Sequence, residues 1–376
     1  MFSSKILPGC ALMACLATPL SGQTTLKDAF KNCFRIGAAL NLGHYTETDV
    51  VESALVKLHF NSITPENDMK WERIHPRPDP GPAGYDFTGA DKFVAFGEKN
   101  GMFIVGHCLV WHGQTPRWVF QDSGGGPLGR EALLERMREH ILTVVGRYRG
   151  RVHGWDVVNE ALNEDGTLRK SPWLTVVGED YIAKAFEYAR EADPDAELYY
   201  NDYNLEYEAK RKGAVDLARK LMQQGIKISA IGTQSHHKID RPSLEQIADT
   251  LKAFQELGIR VAVTELDIDL LPPVTLQPTA DVSTRAEATA ESNPYIAGLP
   301  EEMQQALAKR YADIFAVYLK YRDIITRVTF WGVTDRHSWL NYFPAPGRTN
   351  HPLLFDREGK PKPAFDAVIR AVSAPR

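Results

Sequence analysis

Two patterns of apolar residues alternate along most of this chain: short continuous runs, and longer stretches with helical spacing. Short apolar runs rich in Val, Ile, Thr and aromatic residues are typical of parallel strands that are buried on both faces. Segments with helical periodicity separate these runs, which is the pattern of repeated βα units. We predict eight strands, at residues 35–41, 61–67, 102–111, 152–160, 197–202, 230–236, 260–268 and 327–335. Eight such units predict an α/β fold, a single (β/α)8 TIM barrel.

The segments between the strands predict an outer ring of helices. One of them places apolar side chains on one face from Leu133 to Tyr148, with Arg and Glu on the other face. Ser243, with Gln246 three residues later, predicts a capping box, and Gly258 predicts the end of that helix. The helical spacing returns at residues 303–318.

Residues 270–300 form a long segment after the seventh predicted strand, rich in Pro, Ala, Thr, Ser and Glu. A long loop at the carboxyl end of a barrel strand usually borders the functional site, but the composition equally suits a mobile surface excursion. We find no Ser-, Thr- or Pro-rich linker, so residues 23–376 are expected to form one domain.

Two of the predicted strands each carry a glutamate at or near the carboxyl end. Glu160 ends the run Trp-Asp-Val-Val-Asn-Glu at 155–160, and Glu265 lies in Thr-Glu-Leu-Asp at 264–267. Parallel barrel strands bring these ends to one rim. Two carboxyl groups about 5 to 5.5 Å apart can cleave a glycosidic bond with retention of configuration. Either glutamate alone is equally compatible with a structural ion pair, and their pairing favours chemistry.

The neighbours of the two glutamates predict different roles. Asp267 lies on the same strand face as Glu265, and His236 ends the adjacent strand, so an Asp-His-Glu chain would keep Glu265 ionised as a nucleophile. The apolar run before Glu160 favours the protonated form that a general acid needs. Asn159 is placed to hydrogen-bond the hydroxyl next to the anomeric carbon.

Residues 155–160 and 264–267 resemble the acid/base and nucleophile motifs of glycoside hydrolase family 10, the endo-β-1,4-xylanases. Residues 65–71, 106–112, 232–236 and 330–335 resemble further motifs of that family, in the same order. The resemblance implies a (β/α)8 barrel that hydrolyses β-1,4-xylosidic bonds of xylan and xylo-oligosaccharides with retention. It implies that Glu160 is the acid/base and Glu265 the nucleophile. It also implies sugar contacts on the non-reducing side by Glu66, Asn67, Lys70, His107, Trp111, Gln234, Trp331 and Trp339.

These residue types suit a carbohydrate, because sugars present pairs of hydroxyl groups beside apolar C–H faces. Tyr203, after the fifth strand, is expected to stack on the leaving-group side, whereas Trp118 and Trp155 are expected to pack in the core. His236 and His237 point to opposite faces of a strand and cannot ligate one ion. We therefore expect no catalytic metal and no cofactor.

The beginning of the chain resembles a secretory signal. One lysine, Lys5, precedes an apolar stretch at 6–20 that Pro8 interrupts, and the small residues Ser21 and Gly22 follow. The stretch is too short for a transmembrane helix, which needs about 18 apolar residues. We predict that residues 1–22 are removed and that the protein is extracellular or periplasmic. Residues 12–15 faintly resemble a lipoprotein site, which would instead anchor the chain through Cys15.

Composition adds few constraints. Hydrophobic residues make up 43% of the chain and charged residues 24%, with a net charge of -4, which is ordinary for a globular protein. No basic face favours nucleic acid. Cys33 and Cys108, both in strand-like apolar runs, are expected to be buried free thiols. We expect a monomer that requires no nucleic-acid or membrane partner.

Two other functions remain open. A related β-1,4-glucanase would accept a hydroxymethyl group on each ring, and Lys70, Trp331 and Trp339 would admit or exclude that group. A barrel that binds xylan without cleaving it would be marked by loss of Glu160 or Glu265, and both are present. The length of the 270–300 segment leaves the product-side sugar sites and the tolerance of branched chains open.

Overall fold

The computed structural model describes residues 24–79, 81–274 and 285–373. The predicted signal at 1–22, with Cys15, and the middle of the 270–300 segment lie outside the described residues. Among the helices described, none is long and apolar enough to cross a membrane.

In the described part of the chain, nine parallel strands form one sheet, and eight of them close into a barrel. The hydrogen-bonded order is β6-β5-β4-β3-β2-β1-β9-β8-β7, and a further pairing of β6 with β8 closes the ring. The short strand β7 pairs only with the end of β8. The strands are β1 (Arg35–Leu40), β2 (Ser62–Pro65), β3 (Phe103–Val110), β4 (Gly154–Asn159), β5 (Glu197–Asp202), β6 (Ala230–Thr233), β7 (His236–Lys238), β8 (Arg260–Asp269) and β9 (Ile325–Phe330).

One long helix follows each of the barrel strands and forms the outer ring, which confirms the predicted (β/α)8 barrel. The described helices are α1 (Leu26–Ala29), α2 (Leu42–Tyr45), α3 (Val50–His59), α4 (Trp71–Ile74), α5 (Thr88–Lys99), α6 (Arg130–Arg147), α7 (Pro172–Val177), α8 (Tyr181–Ala192), α9 (Glu208–Gln223), α10 (Leu244–Leu257), α11 (Glu301–Lys320) and α12 (Pro363–Ser373). Both the Ser243 capping box of α10 and its left-handed end at Gly258 are present.

The sixth predicted strand, 230–236, is wrong in one respect. Strand β6 ends at Thr233, and Ser235 takes a left-handed backbone conformation with φ of +61°. His236 therefore begins a separate strand, which pairs with Asp267 at the end of β8. Because this pairing prolongs β8, Glu265 lies inside a strand rather than at its end. The last predicted strand, 327–335, begins and ends earlier, at Ile325–Phe330.

The barrel separates two cores. The main core lies between the strands and the helices and contains Ile104 and Leu198. The next residue on each strand, Val105 and Tyr199, packs instead in a small cluster with Ala230. Because successive side chains on a strand point to opposite faces, this cluster lies inside the barrel.

The two free cysteines within the described residues differ in position. Cys108 is buried on β3, as predicted. Cys33 is only half-buried and lies in the turn after α1, because β1 begins two residues later. The prediction that Cys33 belongs to a strand-like run is therefore wrong.

The close packing of β3 against β4 predicts how a substitution at Gly106 changes the stability of the fold. A Cβ atom at Gly106 would lie 2.1 Å from Cε3 of Trp155, whose side chain is fully buried. Gly106→Ala should lower the free energy of unfolding by about 1 to 3 kcal/mol in a denaturation experiment. The control Gly146→Ala adds a methyl group in open space on α6 and should raise that free energy by up to about 1 kcal/mol. Equal effects of the two variants would contradict the packing described.

Candidate functional site

Glu265 is buried and held beside a histidine, as the sequence predicts. Its Oε2 lies 3.1 Å from Nε2 of His236, whose Nδ1 lies 3.0 Å from Oδ1 of Asp267. The indole nitrogen of Trp339 donates to Oδ2 of Asp267 at 2.7 Å. The structure therefore brings these four residues into one hydrogen-bonded chain.

This chain fixes the charge of Glu265. Burial raises the pKa of Glu265, but the hydrogen bond from His236, the charges of His107 and His236, and the hydrogen bond from Asn201 outweigh it and lower the pKa. Burial likewise lowers the pKa of His236, but the carboxylates of Asp267 and Glu265 raise it to about 10. At neutral pH a buried carboxylate thus lies against an imidazolium.

Asn201 is a central residue that the sequence analysis missed. From the end of β5, its amide nitrogen donates to Oε1 of Glu265 at 2.8 Å and to Oδ1 of Asn159 at 2.9 Å. Its amide oxygen accepts from the Thr264 hydroxyl at 2.6 Å. A Cβ atom on Gly232 would lie 2.4 Å from that oxygen, so a glycine is required there. Asn201 could have been found from the sequence, because it is a polar residue near the carboxyl end of a predicted barrel strand.

Glu160 follows β4 directly and is also buried. Its Oε1 accepts from the Gln234 amide at 3.0 Å and its Oε2 from the Trp111 indole at 2.9 Å, so both donors are neutral. The backbone at Glu160 is left-handed, with φ of +55°. Such a conformation costs about 1 to 3 kcal/mol and recurs at functional sites. Hydrogen bonds to Asn201 and from Arg169 hold this backbone in place.

Several residues predicted to bind sugar meet at one side of the two glutamates. Nζ of Lys70 donates to Oδ1 of Asn67 at 3.0 Å and lies 5.2 Å from the ring centre of Trp111. Lys70 also donates to Gln114 at 2.8 Å, a contact that the sequence analysis missed. Glu66 precedes Asn67. Burial raises the pKa of Glu66, and the positive charge of Lys70 offsets only part of this rise.

His107, Trp331 and Trp339 form the adjoining wall. The His107 ring lies 5.4 Å from the Trp331 ring and meets it edge-on, and its Nδ1 lies 2.8 Å from Oδ2 of Asp156. The Trp339 ring lies 4.8 Å from the His236 ring. Charged and amide groups thus stand beside flat aromatic rings, which is the composition expected of a sugar cleft.

Tyr203 follows β5, and burial together with the nearby charge of Glu160 raises the pKa of its hydroxyl. Its hydroxyl lies 2.8 Å from a guanidinium nitrogen of Arg169. Nζ of Lys210 lies 3.3 Å from its ring centre, so one face of the ring is covered. Only the other face is available for the predicted stacking. The two tryptophans assigned to packing are fully buried in the case of Trp155 and partly buried in the case of Trp118.

Possible metal ligands are sparse in the described part of the chain. The one cluster with suitable spacing is His44, Glu52 and His337, away from the two catalytic candidates. Nδ1 of His44 accepts from the Asn41 backbone, so its Nε2 carries the proton that Glu52 accepts at 2.6 Å. The Arg336 guanidinium also donates to Glu52, so this cluster is an ion-pair network.

His236 and His237 contact different partners, which agrees with the prediction that they point to opposite faces of a strand. His236 contacts Glu265, whereas Nε2 of His237 lies 3.3 Å from Glu206.

Comparisons with known proteins find one family over most of the chain. The family model of glycosyl hydrolase family 10 matches residues 25–371. The chain is 43% identical to endo-1,4-beta-xylanase A of Xylanibacter ruminicola over 355 residues, covering 94% of this chain and 95% of the relative. It is also 43% identical to an endo-1,4-beta-xylanase of Geobacillus stearothermophilus, covering 93% and 99%. A solved family 10 endoxylanase from a sugarcane soil metagenome superposes with a TM-score of 0.87 at 51% identity, covering 92% and 99%.

The hydrogen bond from Asn201 predicts a shift in pH dependence. Asn201→Ala removes a donor that lowers the pKa of Glu265, so that pKa should rise. The acidic limb of the kcat/KM profile for a glycoside should move to higher pH, and the maximum should fall by about 100-fold. Asn163→Ala, which removes an amide bonded only within its own loop, is the control. An unchanged acidic limb in Asn201→Ala would contradict the account.

Proposed function

Because the chain belongs to glycosyl hydrolase family 10 and is a retaining endo-1,4-β-xylanase, we propose that it cleaves internal bonds of xylan by double displacement. In this proposal Glu265 is the nucleophile and Glu160 the general acid and base. The asymmetry between the two glutamates carries the proposal: an imidazolium holds Glu265 ionised, whereas both donors to Glu160 are neutral.

The first step forms a covalent intermediate. A Glu265 oxygen attacks the anomeric carbon while the bond to the leaving sugar breaks, and Glu160 gives its proton to the departing oxygen. His236 and Asn201 occupy the two oxygens of Glu265, and their donors stabilise the carboxylate before attack and when it is regenerated.

The second step releases the product. Glu160, now ionised, takes a proton from a water molecule, whose oxygen attacks the anomeric carbon and displaces Glu265. Two inversions restore the β configuration. Asn159 supports both steps as a donor to the adjacent sugar hydroxyl, because Asn201 fixes its amide oxygen and so its orientation.

The cleft also supports binding of xylan on the non-reducing side. Lys70 and Asn67 are held together by a hydrogen bond and supply donors and acceptors for sugar hydroxyls. His107, Gln234, Glu66 and the rings of Trp111, Trp331 and Trp339 complete this side. Tyr203, with its one uncovered face, is proposed to contact the sugar on the leaving-group side.

The remaining proposals concern the chain as a whole. We propose that residues 1–22 are a secretory signal, that 23–376 form the mature catalytic domain, and that the enzyme acts outside the cytoplasm as a monomer. The apolar stretch at 6–20 supports the signal, and a family match that begins at residue 25 supports the extent of the catalytic domain. Amino-terminal sequencing of exported protein tests the first point: a start at Gln23 supports cleavage, and a lipid-modified Cys15 would overturn it.

Product analysis tests the proposed activity. The mature chain is incubated separately with xylan and with carboxymethyl-cellulose, and product length and anomeric configuration are recorded. Short xylo-oligosaccharides, formed first as β-anomers from xylan alone, support a retaining endo-xylanase. Cleavage of cellulose as well would favour a broader β-1,4-glycanase, and binding of xylan without cleavage would favour a non-catalytic barrel.

The proposed acid predicts a dependence on the leaving group. Glu160→Ala should lower kcat on xylan by about 100-fold or more, because an alkoxide leaves poorly without a proton. It should lower the first step on an aryl xylobioside with a good leaving group much less. Glu265→Ala, as the comparison, should lose turnover on both substrates. Equal losses on both substrates in Glu160→Ala would argue against its role as the acid.

A further inference from the structure

A buried arginine lies inside the barrel below the two glutamates. Arg327 is on β9, and its side chain is 1% exposed. The central carbon of its guanidinium lies 4.4 Å from the ring centre of Tyr199, which belongs to the interior cluster with Val105 and Ala230. A Cβ atom at Gly154 would lie 2.4 Å from the Tyr199 hydroxyl. The barrel interior therefore accommodates the side chains of Arg327 and Tyr199 because residue 154 is a glycine. Burial of a charge here is costly and calls for a compensating interaction.

Asp156 supplies that interaction. Its Oδ1 lies 4.0 Å from a terminal nitrogen of Arg327, and its own side chain is 2% exposed. Within residues 24–79, 81–274 and 285–373, neither that oxygen nor any guanidinium nitrogen of Arg327 has a hydrogen-bond partner. Charge and burial therefore hold this pair together. The other oxygen of Asp156, Oδ2, lies 2.8 Å from Nδ1 of His107.

His107 continues this chain to the cleft. Its ring meets Trp331 edge-on at 5.4 Å, and its charge is one of the influences that lower the pKa of Glu265. A hydrogen bond from Nδ1 to a fixed acceptor sets the orientation of a histidine ring. The orientation of His107 therefore depends on Asp156, and the charge of Asp156 has its cation partner in Arg327.

We propose that Arg327 is a positioning residue for the glycosidase reaction, because its charge holds Asp156 as the fixed acceptor that orients His107 beside Glu265. The inference rests on the proposed role of Glu265. Arg327 acts through two intervening side chains and lies inside the barrel, below the sugar cleft.

Two substitutions separate this role from simple packing. Arg327→Met fills much of the same space without charge, whereas Arg327→Lys keeps the charge. Because Arg327→Met leaves the buried charge of Asp156 without its cation partner, the Met variant should be less stable than the Lys variant. If Arg327 contributes only to stability, the two variants should have equal kcat values at a temperature well below both Tm values. If Arg327 orients His107, the Lys variant should be the more active one.

The experiment measures Tm, kcat and KM on xylan for the mature chain. We expect Arg327→Met to lower kcat by about 10- to 100-fold, the range that a small misplacement in a site can cause. KM should rise as well, because His107, which Arg327 orients, is one of the residues proposed to bind sugar. At a temperature well below both Tm values, Arg327→Lys should keep a larger share of kcat than Arg327→Met. Arg310→Met removes a half-buried arginine on α11 that donates to the Pro242 carbonyl, and should retain kcat.

A double-mutant cycle completes the test. In a His107→Ala background, Arg327→Met should change kcat/KM by less than about twofold, because the group it acts through is gone. A further loss as large as in the parent protein, or equal kcat values of the Met and Lys variants well below their Tm values, would overturn the inference. If the Met variant does not fold, Arg327→Gln, which stays polar but loses the charge, replaces it in both backgrounds and is judged by the same criterion. Xylan turnover by the parent chain and its loss in Glu265→Ala test the proposed function separately.

Discussion

The ion pair between Glu265 and His236 is the interaction on which the proposed chemistry depends. A carboxylate buried to this degree would ordinarily take up a proton, because desolvation penalises its charge. His236 prevents this, and it remains an imidazolium because Asp267 lies at its other nitrogen. The nucleophile is thus charged in a site dry enough for charges to interact strongly.

The fold is modified locally to make that pair possible. If β6 continued regularly, the side chains of Ser235 and His236 would keep alternating between the two faces of that strand. The left-handed backbone at Ser235 instead starts β7, which pairs His236 with Asp267. A second left-handed residue, Glu160, turns the chain where β4 ends. Both departures from ideal geometry occur at the carboxyl ends of the strands, where such barrels carry their active sites.

Much of this arrangement could be predicted from the sequence. Periodicity gave all eight barrel strands to within a few residues at most ends, because buried parallel strands and amphipathic helices have distinct patterns. Glu160, Glu265, His236 and Asp267 were identified because each lies at or near the end of a predicted strand. Their contacts with one another follow from the closure of the barrel.

Other residues could not be predicted for an equally physical reason. Asn201 joins Asn159 and Glu265, which lie 42 and 64 residues away, and only the register of three strands brings them together. The break after β6 depends on one backbone angle. Arg327 stands in a strand pattern where an arginine suggests a solvent-exposed position, yet it faces the barrel interior.

The covalent intermediate is the most direct test of the central claim. The mature chain is treated with an activated 2-deoxy-2-fluoro xylobioside, whose fluorine slows the second step, and the labelled protein is digested and analysed by mass spectrometry. The account predicts one added fluoro-xylobiosyl group, on the peptide that contains Glu265 and attached to that carboxyl. Label on Glu160, or rapid turnover of other substrates without any label under conditions that should trap the intermediate, would contradict it.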